Sequence, residues 1–149
     1  YKYQFARAIK LLKKYNDSFN MSKSEVTDRF GIGAIANHMH HIFPKSSFPS
    51  IADYVENLIA LTSAQHMQEA HPNGNTQIVD KDFQYVCLIC KTESIRKNLQ
   101  WGFGTPMFYS FENFMTVLDI GLSSTFFGGL EENDYNSVIS GIEMNYKWR

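Results

Sequence analysis

The sequence Ala34-Ile-Ala-Asn-His-Met-His-His-Ile-Phe43 alternates in part between apolar and polar side chains and is followed by Pro44. Alternation with a period of two favours a β-strand, and proline ends a strand because it has no N–H to donate. Asn57-Leu-Ile-Ala-Leu-Thr62, downstream of a loop rich in serine and proline, is a short apolar run. It fits either a second strand or the approach to a helix. Thr62 or Ser63 can cap a helix that continues through Ala70 and stops at Pro72.

The rest of the chain predicts helices. They are expected over residues 2–15, from Ser22 or Ser24 to Gly31, and over 83–97, 111–120 and 134–146. The predicted fold class is therefore α+β, with a short two-stranded sheet and one helix embedded in a mostly helical domain. A length of 149 residues predicts a single domain. We divide it into a basic helical part (1–33), a central part (34–72) and an aromatic-rich helical part (73–149). Because the first residue is Tyr1 and not Met, we expect the numbering to begin inside a longer chain or after processing.

Composition excludes several classes of protein. Hydrophobic residues make up 44% of the chain, and 14 Lys and Arg nearly balance 15 Asp and Glu. A disordered tail or a histone-like polycation would not have this composition. No apolar stretch predicts a membrane span or a secretory signal, so a cytoplasmic protein is expected. Cys87 and Cys90 are too few for a disulfide framework or a four-ligand zinc site, and core packing is their favoured role.

Charge is unevenly distributed along the chain. Residues 1–50 contain eight Lys or Arg against three acids, whereas residues 101–149 contain two against six. In the first predicted helix, Arg7, Lys10 and Lys14 lie opposite an apolar face formed by Phe5, Ala8, Ile9 and Leu12. This cationic strip could follow a phosphate backbone or could be a solvated face, and charge alone favours the second.

All five histidines lie between positions 38 and 71. Imidazole binds transition metals and exchanges protons near neutral pH, so the cluster is a candidate site. In a regular strand His38 and His40 share a face, while His41 points to the other face. On a helix His66 and His71 are rotated by about 140° from each other, so both can bind one metal ion only if the helix ends or distorts there.

Three segments together resemble the His-Asn-His (HNH) motif of the ββα-metal endonucleases: His40-His41-Ile42-Phe43-Pro44-Lys45, Glu56-Asn57-Leu58-Ile59-Ala60-Leu61-Thr62, and His66 with His71 nearby. The similarity covers about 32 residues and is greatest to bacterial HNH restriction endonucleases. It implies a ββα-metal core. It also implies that His41 is the general base, that Asn57 braces the loop that orients it, and that His40 and His66 bind the metal.

Each of the other residues near the motif has two possible roles. His71 stands five residues after His66, where many family members have a histidine four residues on, so it is either a metal or phosphate ligand or a helix cap. Lys45 is either a phosphate contact or a solvated charge, and His38 is either structural or a phosphate contact. The resemblance implies one divalent ion, Mg²⁺ or Mn²⁺, although imidazole ligands also suit Co²⁺ and Ni²⁺. Because His41 must be neutral to act, activity should fall below about pH 6.5 if its pKa is unperturbed.

The resulting hypothesis is a metal-dependent endonuclease that cuts double-stranded DNA, encoded by a bacterium or phage, as the cleavage domain of a type II or modification-dependent restriction enzyme. The final 49 residues contain 11 of the 22 aromatic side chains, which is typical of a core or an interface. Cutting both strands needs two centres, so a homodimer through this third is expected. The alternatives are a phage or toxin nuclease of low sequence specificity, and a non-catalytic zinc- or DNA-binding module. In that module His38, His40, His66 and His71 would close a four-ligand site.

Overall fold

The computed structural model describes residues 2–26, 35–66, 80–102 and 105–147, with the backbone alone for residues 2–5 and 101. These ranges contain four α-helices and one small antiparallel sheet, which confirms the α+β class. The helices are α1 (Lys2–Phe19), α2 (Lys81–Arg96), α3 (Phe111–Gly121) and α4 (Tyr135–Tyr146), and the strands are β1 (His38–His41) and β2 (Leu58–Leu61).

The sheet pairs His38 with Leu61 and His41 with Leu58. All four residues of β2 are buried, so the apolar run is a strand and not the approach to a helix. Strand β1 is shorter than the predicted 34–43. The ladder ends after His41 because the N–H of Asn57 donates to the carbonyl of Tyr54 and the carbonyl of Ile42 accepts from the side chain of Gln84, which leaves a single in-register bond from Ile42 to Asn57.

Helix α1 continues to Phe19, past the predicted end at Tyr15. Lys13 and Asp17, one turn apart, form an ion pair of 2.8 Å on its exposed side, which favours the extra turn. Ala8 and Leu12 are buried against Leu58, so the apolar face of the helix packs on β2. The side chain of Phe5 lies outside the described residues.

The predicted helix from Ser22 or Ser24 does not begin at either serine, because residues 22–26 are not helical. Met21 and Ser22 adopt left-handed backbone angles that turn the chain out of α1. The hydroxyl of Ser24 accepts from the N–H of Val26 in a local turn, a bond that competes with helix formation. The remainder, as far as Gly31, lies outside the described residues.

Helices α2, α3 and α4 begin at side-chain caps, at Asp80, Ser110 and Asp134. Their bounds lie within two residues of the predicted ones, except that α2 runs on into a π-helix over Lys97–Trp101. Of the residues predicted to face the core from α2, three are buried, namely Phe83, Cys87 and Ile95, while Val86 and Cys90 pack partly buried against that core.

Most described aromatic residues of the final third belong to the core, which confirms the first of the two interpretations. The buried ones are Tyr109, Phe111, Phe114, Phe127 and Tyr135. Phe126 is an exception, since half of its surface is exposed. None of the helices that the structure describes is long and apolar enough to cross a bilayer.

Candidate functional site

Three of the five histidines meet beside the sheet. Nδ1 of His38 lies 2.9 Å from Nδ1 of His66. The ring centroid of His66 is 4.9 Å from that of His38 and 5.2 Å from that of His40. Because residues two apart on a strand share a face, β1 presents His38 and His40 on one side, as the alternation predicts. His66 therefore joins this face from the start of the next element.

A capping box positions His66. The hydroxyl of Thr62 accepts from the N–H of Gln65 at 3.2 Å, and Oε1 of Gln65 accepts from the N–H of Thr62 at 3.0 Å. This reciprocal pair satisfies two N–H groups at the start of a helix. Thr62 is thus the predicted cap, and residues 63–66 make the first helical turn. Because β2 ends at Leu61, that turn places His66 close to the histidines of β1.

His41 is directed away from this face and is fixed through its ring. Its Nε2 lies 3.0 Å from the carbonyl oxygen of Ala52. A carbonyl can only accept, so Nε2 carries the hydrogen, and the neutral ring then has its lone pair on Nδ1. Burial is the main cause that lowers the pKa of His41 below the usual 6.5, against the Ala52 hydrogen bond, and the positive charge of Lys45 lowers it further. The limit of about pH 6.5, which holds for an unperturbed imidazole, therefore shifts to lower pH for His41.

Asn57 is fully buried and holds together the two segments that flank His41. Its Oδ1 accepts from the N–H of Phe43 at 2.9 Å, and its Nδ2 donates to the carbonyls of Phe43 and Ile51 at 3.0 and 3.3 Å. Phe43 follows β1 by two residues, and Ile51 precedes the carbonyl that fixes His41. These bonds need an acceptor oxygen and a donor NH₂ on the same side chain. A carboxylate lacks the donor and a methyl group lacks both, so neither could replace the amide.

The cationic residues predicted to contact DNA are exposed. Arg7, Lys10 and Lys14 lie on the outer side of α1, whose other side packs on the sheet. Lys45, after β1, is exposed as well and acts electrostatically on His41. His71, the end of the helix at Ala70 and the stop at Pro72 lie outside the described residues.

Sequence reasoning missed a buried ion pair beside β2. Nζ of Lys91, whose side chain is fully buried, lies 2.7 Å from Oε1 of Glu25 and donates to the hydroxyl of Tyr109 at 3.0 Å. The other oxygen of Glu25 accepts from the N–H of Ala60 at 2.8 Å, and the N–H of Glu25 donates to the carbonyl of Ala60. Glu25 therefore occupies the place of a neighbouring strand along the outer edge of β2. A lysine in a polar stretch of α2 carries no signal of this role in the sequence.

Glu56 is a second buried acid that the sequence left unassigned. Its Oε2 accepts from the N–H of Ser110, the cap residue of α3, at 2.8 Å. Its Oε1 is buried and has no hydrogen-bond partner among the described residues. Burial raises the pKa of Glu56 above its usual 4.5, against the effects of the Ser110 hydrogen bond and the charge of Lys91. Glu56 therefore connects the segment that contains Asn57 to the start of α3. Its Oε1 has no hydrogen-bond partner among the described residues.

Within the described ranges, no group of three or more His, Cys, Asp or Glu side chains is arranged to hold one metal ion. Among the four histidines that the structure describes, the closest approach is that of His38 to His66. Comparison with protein-family models, curated proteins and solved structures finds no match for this chain.

Proposed function

We propose that the chain is a metal-dependent DNA endonuclease with an HNH-type ββα core, made of β1, β2 and the helix that starts at Thr62. The observation that carries the proposal is the arrangement around β1. One strand presents histidines on both of its sides, with His66 facing His38 and His40, and with His41 bonded to Ala52. Hydrolysis of a phosphodiester needs a general base that activates water and a cation that neutralises charge on the phosphate. The candidate residues for these two roles are neighbours on β1.

His41 would act as the general base. With Nε2 donating to Ala52, Nδ1 of the neutral ring takes the proton from a water molecule that attacks phosphorus. The lowered pKa favours this neutral form at pH 7. Asn57 contributes by joining Phe43, just after His41, to Ile51, just before the carbonyl that fixes the ring, so that the ring keeps one orientation during the reaction.

His66, together with the His38–His40 side of β1, would hold one divalent cation. Imidazole nitrogens fit Mn²⁺, Co²⁺, Ni²⁺ or Zn²⁺, and Mg²⁺ is also able to act in a site completed by water. When bound, the cation would neutralise charge on the phosphate and on the leaving oxygen. Lys45, close enough to His41 to affect its pKa, would contribute a further positive charge toward the phosphate.

Double-stranded DNA is the proposed substrate, as part of a restriction enzyme. The experiment is to incubate the protein with supercoiled plasmid and Mg²⁺ or Mn²⁺, and to sequence the ends of the products. Discrete fragments with a shared end sequence would support a restriction enzyme, whereas a smear would favour a phage- or toxin-type nuclease. Intact plasmid with every divalent metal would contradict the proposal.

A homodimer is proposed because two strands must be cut. The final third exposes Phe126, Met107 and Met144, whose apolar surface such an interface would cover. Analytical ultracentrifugation should show a dimer, either free or bound to DNA. A monomer under both conditions would contradict this part.

The second candidate function is a non-catalytic zinc- or DNA-binding module. The contact between His38 and His66 favours this module, because a closed four-ligand zinc site would use both imidazoles as ligands. Metal analysis of the purified protein separates the candidates. Tightly held zinc without nuclease activity would favour the module, and cleavage that depends on added metal would favour the enzyme.

A further inference from the structure

We propose that His38, and not His40, is the partner of His66 in holding a divalent transition-metal ion. The inference rests on the proposed function in treating this cation as the one that serves the nuclease. It departs from the role that the HNH resemblance gives to His40. Three properties of the two candidate histidines, namely distance, exposure and surroundings, support His38.

The first property is the distance between ring nitrogens. Nδ1 of His38 and Nδ1 of His66 are 2.9 Å apart. Two imidazole nitrogens bound about 2.0–2.1 Å from one cation lie roughly 2.8–3.0 Å apart when their bonds meet at a right angle, and roughly 3.3–3.4 Å apart at the tetrahedral angle. The observed separation is that of two neighbouring positions in an octahedral site. One ring donates a hydrogen bond to the other across this distance, so a cation that replaces the shared proton would meet one nitrogen from each ring.

The second property is exposure. His40 is 5% exposed, whereas His38 is half-buried, as is His66. A catalytic cation keeps open positions for water and for a phosphate oxygen, so its ligands must border solvent. The His38–His66 pair satisfies this condition, whereas His40 is almost completely buried.

The third property is the set of surroundings of His40. It pairs in register with Ile59, a fully buried residue of β2, and its ring centroid is 5.2 Å from that of His66. This places His40 in packing contact with His66. Its contribution would be to keep the His66 ring in place, which makes it a positioning residue.

A site with two imidazoles and otherwise water favours Mn²⁺, Co²⁺ or Ni²⁺ over Mg²⁺, because nitrogen ligands suit the transition metals. The test is a titration of the whole protein with Co²⁺, followed by calorimetry and by visible absorption. The variants are His38→Ala, His40→Ala and His66→Ala. Asn37→Ala, at the exposed residue before β1, is the matched control. Circular dichroism checks that each variant folds, and His38→Gln and His40→Gln replace any alanine variant that does not.

The wild type and Asn37→Ala should bind one Co²⁺ per chain. Loss of His38 or of His66 should weaken Co²⁺ at least about 100-fold, beyond the 10- to 100-fold typical of losing a residue that only supports a ligand. Loss of His40, as a positioning residue, should weaken it less, by no more than roughly that 10- to 100-fold. Equal losses in the His38 and His40 variants, a larger loss for His40, or no Co²⁺ binding by the wild type would overturn the inference.

Plasmid cleavage is measured in parallel, so the two proposals fail separately. If the wild type binds Co²⁺ through His38 and cuts no DNA with any metal, the metal pair stands and the nuclease is rejected. If DNA is cut equally well by wild type and His38→Ala, with unchanged Co²⁺ affinity, the nuclease stands and the role of His38 is rejected.

Discussion

The side-chain amide of Asn57 bonds to both the N–H and the carbonyl of Phe43, at 2.9 and 3.0 Å. The amide thereby takes the place that a neighbouring backbone would occupy, directly after the last in-register bond, from the N–H of Ile42 to the carbonyl of Asn57. The same amide reaches the carbonyl of Ile51, so one buried residue joins the segment that follows the candidate base to the segment whose Ala52 carbonyl fixes its ring.

Replacing Asn57 with Ala should lower the free energy of unfolding by at least about 2 kcal/mol, because it leaves buried backbone groups of Phe43 unsatisfied. Urea unfolding measures the change. Asn37→Ala, at an exposed position, is the control and should change the value by less than about 0.5 kcal/mol. Equal stability of the two variants would show that the amide does not hold the loop.

The buried pair of Lys91 and Glu25 should be costly to break from one side. Lys91→Met should lower the free energy of unfolding by about 3–5 kcal/mol, because Glu25 is left as a buried charge without its cation. The double variant Lys91→Met with Glu25→Gln should recover part of this loss. Lys13→Met, which breaks the exposed pair with Asp17, is the matched control and should cost less than about 1 kcal/mol. A small effect of Lys91→Met would contradict the structure at this point.

Glu56 predicts a pH-dependent component of stability. Its pKa is raised in the folded state, so between about pH 4.5 and the raised value the folded chain holds a proton that the unfolded chain has lost. The stability from this group is therefore complete below pH 4.5 and is lost as the pH rises through the folded pKa. Glu56→Gln removes this dependence.

Measured by urea unfolding from pH 4 to 8, the stability of Glu56→Gln relative to wild type should increase with pH. Glu131→Gln, at an exposed glutamate, is the control and should change the stability by less than about 0.5 kcal/mol. A difference for Glu56→Gln that stays constant or falls with pH would contradict burial of the acid.

The cationic side of α1 predicts salt-dependent DNA binding. Replacing Arg7, Lys10 and Lys14 together with Gln should weaken DNA binding and reduce the slope of log affinity against log salt by up to about 0.9 for each phosphate that the variant no longer neutralises. Fluorescence anisotropy with a labelled duplex measures both. Lys13→Gln, on the same helix but paired with Asp17, should leave the slope unchanged. An unchanged slope in the triple variant would assign this face to solvent alone.

The order of elements near the site could be predicted from the sequence because it depends on local signals. Alternation predicted β1, the apolar run allowed β2, and Thr62 was one of two predicted caps. The extent of β1 could not be predicted, because its end depends on Asn57, fourteen residues beyond Phe43. The place of His38 beside His66 depends on the register of the sheet, which no local pattern specifies.

Contacts between distant segments account for the other errors. The serines that predicted a helix after residue 22 make a turn, since Glu25 bonds to Ala60 along the edge of β2. A lysine on a helix is usually solvated. Lys91 is buried because its ammonium group contacts the carboxylate of Glu25 and the hydroxyl of Tyr109. These roles depend on contacts between distant segments. Such contacts cannot be predicted from the spacing of residues within one segment.

The central claim is that His41 acts as the base of a nuclease, and the most direct measurement is cleavage of supercoiled plasmid by His41→Ala with saturating Mn²⁺. We predict a loss of at least about 100-fold in the cleavage rate, with Mn²⁺ and DNA affinities close to those of the wild type. Asn37→Ala should cut at the wild-type rate. Cleavage by His41→Ala at the wild-type rate would contradict the account.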